Sequence, residues 1–516
     1  MSLVDKPPVS PLDMEAEGIP AAHVAGIDMS HRAPELSDDA RRMLPAPILE
    51  NNPEFVDLYW RSWAIAFDKV KAGSERAGTS DHVDAAFSDN LFQWDSCFMI
   101  DFLRYATHVL PVYGTLDNFY SKQHANGFIC REINGITGDD FWEDSHPSCI
   151  NPPLFADAEW RMYSVTGDSE RIKSVLEPLL RYYEWLERHR RANDEVGYWT
   201  TALASGMDNT PRVYEFGGGH VHKHYEHVWL CMTAQQALAA KRISQMAEAI
   251  EQSDVASTYQ AKFKLLMDYV DSHMWNAEIG LYVDTGPKGQ LTKVKTPAAA
   301  WPLLLGETDP TRSEAVRDNF LDRASFFRAH AIPSVSADHY VYHPHGNYWH
   351  GSVWPPMVHL AIRAMRETGH TKAARLIADN HLSNLDAVLK STGTLWENYA
   401  ADSIAPGNIS RPEFAGWTAC GPISSLIETI IGIDLDAPNR RVTWDLSRGD
   451  KHGVERLRLG GTSISLVFDP IQDAIYVSSD AEFELVVTRD GETSGKLMPK
   501  GRSVLDKPGR SLGGLL

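Results

Sequence analysis

The chain has 516 residues, with 49 Lys and Arg against 69 Asp and Glu, a formal charge of −20 at pH 7 and 43% hydrophobic residues. That balance fits a globular protein with a sizeable core. It argues against nucleic acid or an anionic membrane surface as the main partner, because both demand a basic face. The five cysteines are scattered without C-x-x-C spacing, the N-terminus lacks an apolar signal segment and no apolar run reaches membrane length, so a cytoplasmic protein with reduced thiols is expected.

In chain order, residues 1–45 contain Pro7-Pro8, Ser10-Pro11 and Ala33-Pro34 and predict a mobile or draped extension. Over 54–71, Phe55, Leu58, Tyr59, Trp60, Trp63 and Phe67 fall at three- and four-residue spacings, the period of a helix. Further helices are expected over 95–109, 116–124, 153–165 and 169–190. Gly167 followed by the capping residue Asp168 marks the stop and restart between the last two. Ser205-Gly206-Met207-Asp208-Asn209-Thr210-Pro211-Arg212 then breaks the pattern, and Gly206 and Pro211 mark it as a loop holding one acid. Helices resume at 221–247 and 257–275, a hairpin-like stretch covers 280–289, and helices follow at 297–305, 313–320, 349–368, 372–389 and 417–430.

Helical hairpins in this number stack side by side. No fixed-length repeat motif is present, so the predicted fold is mainly α, a closed (α/α)6 toroid. Beyond residue 434, RVTWDL, RLRLGGTSISLVF, AIYVSS and FELVVTR alternate polar and apolar residues and predict a small antiparallel β-module. The expected domains are an N-terminal extension at 1–45, a catalytic domain at 46–432 and the β-module at 433–516.

The 15 Trp, 18 Tyr and 18 Phe gather partly in loops beside Asp, His, Gly and Pro, a setting suited to stacking on the apolar faces of sugar rings. Six clusters stand at helix starts or between helices: Phe92-Gln93-Trp94-Asp95-Ser96; Asn151-Pro152-Pro153; the 205–212 loop; Tyr348-Trp349-His350-Gly351-Ser352-Val353-Trp354-Pro355-Pro356; Leu395-Trp396-Glu397-Asn398-Tyr399; and Phe414-Ala415-Gly416-Trp417-Thr418. In a toroid such loops converge on one end of the ring. Together and in this order they resemble the (α/α)6 glycoside hydrolases of the clan joining trehalases to family 63, which includes mannosylglycerate and glucosylglycerate hydrolases. Residues 205–212 are similar to the S-G-x-D-D/N-x-P-R segment of the general acid. Trp396-Glu397-Asn398-Tyr399 resembles the segment of the general base. His350 stands where family 63 has Arg, and Asn151 where a Gln often precedes Pro-Pro.

The resemblance implies an inverting, exo-acting hydrolase of a small α-linked glucoside or mannoside, with Asp208 as proton donor and Glu397 as base. Acetal hydrolysis needs both a proton for the leaving oxygen and a carboxylate to activate water. Asp208 is therefore expected with a raised pKa and Glu397 ionised. Gln93, Trp94, Asp95, Asn151, Arg212, Tyr348, Trp349, His350, Gly351, Trp354, Trp396, Tyr399 and Trp417 are the expected substrate contacts, with Arg212 available to an acidic aglycone. No cofactor and no metal are expected. The histidines at 220–224 and 343–350 read instead as the substrate mouth or a lid, hinged at Gly217–Gly219. The expected partner is a small oligosaccharide or glycosylated small molecule, and the β-module offers a surface for a homo-oligomer. The alternatives are a trehalase, a glycosyl-glycerate hydrolase, or a carbohydrate-binding toroid without turnover.

Overall fold

The computed structural model describes residues 36–85, 88–192, 196–215, 220–224 and 227–508. Most of the expected extension, and the glycines assigned as a lid hinge, lie outside these ranges. The described end of the extension is ordered structure: Ser37 caps the helix Asp38–Met43 by accepting from the Ala40 amide. The strand Ala46–Leu49 that follows pairs antiparallel with His452–Leu459. The β-rich C-terminal region thus includes residues that the sequence assigned to the helical domain.

The helical part alternates between two kinds of helix. Gln93–Leu103, Pro297–Leu305 (a 3-10 helix) and Gly421–Ile431 (a π-helix) are buried over their whole length. Phe155–Thr166, Leu230–Ala249 and Pro355–Glu367 are buried over most of theirs. Alternating with them in sequence come Pro53–Asp68, Val112–Tyr120, Ser169–Arg190, Ser253–His273, Pro310–Leu321 and Thr371–Thr392, amphipathic to differing degrees and, apart from the mostly buried Val112–Tyr120, presenting more of their surface to solvent. The buried helices contact one another in chain order, and Gly421–Ile431 packs back on Gln93–Leu103.

Two expected starts fall late for local reasons. The helix expected from 349 begins at Pro355, because Asn347 and Tyr348 have positive φ and Pro355-Pro356 occupy the first helical positions. The helix expected from 221 begins at Leu230, after an extended Trp229.

Away from the loops, the buried helices are joined by an ionic cluster. Glu428 accepts from Arg161 at 3.0 Å, Tyr105 at 3.0 Å and Arg366 at 3.3 Å, and it pairs closely with Arg104. Asp157 accepts from Arg363 at 2.7 Å and Arg242 at 2.9 Å. Asp101 meets Arg161 and, at 3.0 Å, His359. Burial alone would raise these carboxyls. The guanidiniums outweigh it, holding Asp157 at about 2 and Asp101 and Glu428 well below the usual carboxylate range.

The C-terminal region forms two sheets. One has the order Ala46–Leu49, His452–Leu459, Thr462–Asp469, Ala474–Ser479, Gly501–Asp506; the other runs Glu492–Met498, Phe483–Arg489, Arg441–Asp445, Ile433–Asp436. The module is not purely antiparallel as expected, since Phe483–Arg489 runs parallel to Arg441–Asp445. Between those two strands the chain builds three strands of the other sheet, and a return crossover of that length permits a parallel partner.

Candidate active site

Each of the six clusters contributes to one cavity of about 160 Å³. Its walls include Trp94, Asp95, Asn151, Gly206, Asp208, Tyr348, Trp349, Trp354, Glu397 and Trp417. These residues sit at or before the N-terminal ends of the buried helices, so the rigid elements position them while the loops carry them. The volume lies below the roughly 300 Å³ at which pockets for drug-sized ligands begin, which suits a single ring better than a polymer.

The acid loop is built around Gly206, which has φ +77°. A Cβ there would stand 2.9–3.1 Å from the Trp94 indole, so only glycine lets the loop lie on that ring. Gly206→Ala is expected to push Trp94 and Asp208 apart and to lower kcat/KM about 10²-fold, the cost of a displacement near 1 Å. Steady-state kinetics on a turned-over glycoside would measure it. Ser205 caps the turn, its hydroxyl donating to the Ala202 carbonyl at 2.7 Å and accepting from the Met207 amide at 3.2 Å. Asn209 ties the loop to the opposite wall: its Oδ1 accepts from the Trp349 amide at 2.8 Å, and its Nδ2 donates to the Asn347 carbonyl at 3.3 Å.

Glu397 is held from both sides. Its amide donates to the Arg411 carbonyl at 2.9 Å, and its own carbonyl accepts from Trp417 Nε1 at 2.9 Å. Trp349 and Trp354 stack in parallel 4.1 Å apart, and Trp417 meets Trp354 edge-on, which makes a continuous aromatic wall beside the acid.

Asp208, Glu397 and Asp95 are 8%, 3% and 4% exposed. Burial pushes Asp208 up to about 7, against the pull of the Arg131 guanidinium. Burial also pushes Glu397 up to about 7, opposed by Arg411 and reinforced by Asp208. Glu397 therefore differs from the expectation of a carboxylate simply kept ionised: it is as deeply buried as Asp208 and lines the same cavity. Burial, and then the charge of Glu397, raise Asp95 well above its ordinary value. Asp95 is not the helix N-cap, since Phe92 occupies that position. Trp94 Nε1, Asp95 Oδ1 and Asn151 Nδ2 have no hydrogen-bond partner among the described residues. A buried polar atom left unpaired is costly, and on a cavity wall it is a group able to hydrogen-bond to a ligand.

Several expected contacts stand behind the wall rather than on it. Arg212 forms a fork with Asp284, Nε donating at 2.7 Å, and its guanidinium lies 4.4 Å over the Trp229 ring. A fully buried guanidinium requires such a counter-charge. Asp284 also accepts from the Leu230 amide at 2.8 Å, so this pair fastens the acid loop to the start of the helix Leu230–Ala249. Gln93 Nε2 donates to Tyr182 Oη and the Pro152 carbonyl at 3.3 and 3.4 Å. His350 is buried, which lowers its pKa to about 4, and its Nε2 lies 3.3 Å from Tyr214 Oη. Gly351 donates to Ser334 Oγ at 3.0 Å. Trp396 Nε1 donates to Thr392 Oγ1 at 2.9 Å, and the Trp396 amide donates to Tyr399 Oη at 3.0 Å.

Other wall residues were missed: Phe92, Arg131, Glu132, Phe141, Trp142, Leu203 and Arg411. Phe141-Trp142, flanked by acids in a loop, had the same composition as the six clusters and was the available signal. Arg131 and Arg411 carried none, because their place depends on which loops meet. Trp142 lies beside His146 and His222, which brings part of the 220–224 segment to the mouth. Among the described residues no group of three His, Cys, Asp or Glu side chains is arranged to hold a metal ion.

The family model described as "Mannosylglycerate hydrolase MGH1-like glycoside hydrolase domain" matches residues 88–407. An uncharacterized protein of Borreliella burgdorferi is 25% identical over 447 residues, spanning 83% of this chain and 90% of that one. Among solved structures, a glycoside hydrolase family 63 mannosylglycerate hydrolase from Thermus thermophilus, in complex with glucose, matches with a TM-score of 0.58 at 17% identity, over 71% of this chain and 99% of that one. Neutral trehalase from Saccharomyces cerevisiae matches with a TM-score of 0.53 at 12% identity, over 67% of this chain and 72% of that one. At these identities the two solved structures speak for the fold.

Proposed function

Because the chain belongs to the mannosylglycerate hydrolase MGH1-like glycoside hydrolase family, and is thus a glycosidase, we propose that it is an inverting, exo-acting hydrolase of a small α-linked glucoside or mannoside. The observation that carries this reading is the pair Asp208 and Glu397, two buried carboxyls on one small aromatic cavity, both pushed up to about 7. With both near 7, one acid can hold a proton while the other is ionised at neutral pH. Asp208 gives that proton to the leaving oxygen, and Glu397 takes one from a water at the opposite face of the sugar. Room for that water requires the carboxyls to stand roughly 6.5–9.5 Å apart. Trp349, Trp354 and Trp417 receive the ring, and Asp95 and Asn151 receive its hydroxyls.

The scaffold of this reading is a closed (α/α)6 ring. Its support is the return of Gly421–Ile431 onto Gln93–Leu103 after the other buried helices have packed in succession. The protein works in the cytoplasm on a soluble small molecule. Proton NMR of the first-formed product tests the stereochemistry: the released sugar is expected as the anomer opposite to that of the substrate. Retention of configuration, or the absence of any released sugar, contradicts the proposal.

A specific observation favours an acidic aglycone. With Arg212 committed to Asp284, the cavity still has two guanidiniums on its wall, Arg131 and Arg411. Both already act on the cavity carboxyls, Arg131 on Asp208 and Arg411 on Glu397, and their field also favours a carboxylate such as glycerate, which trehalose lacks. Released monosaccharide is therefore expected from glucosylglycerate or mannosylglycerate ahead of trehalose, kojibiose and nigerose at equal concentration. Faster release from trehalose would reverse that order.

A further inference from the structure

Tyr348 lines the cavity from an unfavourable backbone. It and Asn347 both have left-handed φ, +63° and +43°, a conformation that side chains with a Cβ seldom adopt in succession. The surroundings hold them there. The Asn347 amide donates to Asn408 Oδ1 at 2.7 Å, and the Tyr348 carbonyl accepts from Trp354 Nε1 at 3.3 Å. The Trp354 ring meets the phenol edge-on at 4.9 Å. Asn209, the residue after the acid, grips the backbone on both sides of Tyr348 through the Asn347 carbonyl and the Trp349 amide. The product of this bracing is one contact: Tyr348 Oη donates to Asp208 Oδ2 at 3.2 Å.

We propose that Tyr348 is the positioning residue of the proton donor, its hydroxyl occupying Oδ2 of Asp208 so that Oδ1 faces the leaving group and carries the proton. The proposal rests on the reading of Asp208 as the acid. As the glycosidic C–O bond breaks, its electron pair stays on the leaving oxygen and that oxygen takes the proton from Oδ1. Water deprotonated by Glu397 supplies the new bond to the anomeric carbon. The carboxyl gains negative charge during this step, and the hydrogen bond from the phenol strengthens with it. A contact that is stronger in the transition state than in the ground state accelerates the chemistry. Burial, Asp208 and Glu397 all push the phenol's own pKa upward, so it remains a donor across the working range.

Tyr348→Phe tests this. On a glycoside with an alkoxide leaving group, kcat is expected to fall about 10- to 100-fold with KM little changed, the effect of one hydrogen bond to a charged group. On α-glucosyl or α-mannosyl fluoride, whichever the parent protein hydrolyses, the variant is expected to run near the parental rate, because departing fluoride has little need of a proton. That turnover also shows the variant folded. The basic limb of the kcat profile, and the Asp208 carboxyl followed by carbon-13 NMR, should both move to higher pH once the donor that favours the ionised form is gone. Equal losses on the fluoride and the glycoside, or an unmoved Asp208 titration, overturn the proposal. Asp208→Asn is the control for the underlying reading. If Asp208→Asn loses activity equally on both substrates, the acid assignment itself fails. If it spares the fluoride and Tyr348→Phe does not, only the role of Tyr348 fails.

Discussion

Asp208→Asn and Glu397→Gln are each expected to lose about 10²- to 10⁴-fold in kcat on an unactivated glycoside, the share that positioned acids and bases contribute, and yet to be more stable than the parent above pH 7. The activity loss follows from the reading of both carboxyls as proton carriers. The gain in stability follows from their environment. Each has a folded pKa of about 7, against roughly 4 in an unfolded chain. The folded state therefore binds the proton more tightly. The stability this contributes is fully present below pH 4 and is lost as pH rises through 7. For one carboxyl the swing is on the order of 4 kcal/mol. An amide of the same shape has no proton to lose, so each variant should match its parent near pH 4 and exceed it at pH 8. Urea unfolding at those two pH values measures the difference. A variant that is inactive but gains no more stability over its parent at pH 8 than at pH 4 would show that the carboxyl is not held against its charge. Retained activity would remove the catalytic assignment.

Glu428→Ala is expected to destabilise the fold by about 3–5 kcal/mol, the range seen when one partner of a buried ion pair is removed, with no change in the pH at which activity peaks. Arg104 would keep only neutral acceptors, the Asp101 and Arg161 carbonyls and the Ser164 and Tyr105 hydroxyls. Arg161 and Arg366 would each lose one of two carboxylates. Denaturant unfolding at pH 7 reads the loss, and a change under about 1 kcal/mol, the level of an exposed pair, would mean that water reaches the cluster. The sign of the pH effect is opposite to that at the active site. Asp101, Asp157 and Glu428 have depressed folded pKa values, so their contribution is present above pH 4 and is lost as pH falls toward 2. Acid thus weakens the ionic cluster while base charges the cavity. Stability should peak near pH 4–5, on the acid side of an activity optimum near 7. A protein that loses stability as its site becomes charged is one whose acids are held in place by the rest of the fold.

Local signals in the sequence determined a good deal. The Gly167-Asp168 stop and restart placed the helix Ser169–Arg190 with its observed bounds, because a left-handed glycine and a capping carboxylate act within a few residues. Alternating apolar residues located the strands Arg441–Asp445, Thr462–Asp469, Ala474–Ser479 and Phe483–Arg489, since each buries one face, whereas the mostly exposed Glu492–Met498 and Gly501–Asp506 left no such signal. The six aromatic and acidic clusters were legible as helix starts or interhelical loops for the same reason: Gly, Pro and Asp write their conformations locally. What the sequence lacked was everything set by which distant segments meet. The return of Phe483–Arg489 alongside Arg441–Asp445 as a parallel strand leaves no local mark. Nor does the capture of Ala46–Leu49 by the C-terminal sheet.

The site shows the same division. Arg212 reads in the sequence as a cation next to an acid, available to a substrate. Only the packing of Asp284 and Trp229 against it makes it a brace. Arg131 and Arg411 carry no local signal in the sequence, and only the fold brings them to the cavity beside Asp208 and Glu397. Residue types and spacing determined that two acids and a set of tryptophans lie in loops. Tertiary structure alone decided that both acids are buried in one cavity and how hard each is pushed from its ordinary pKa, because desolvation and the field of neighbouring charges depend on distances in space and not along the chain.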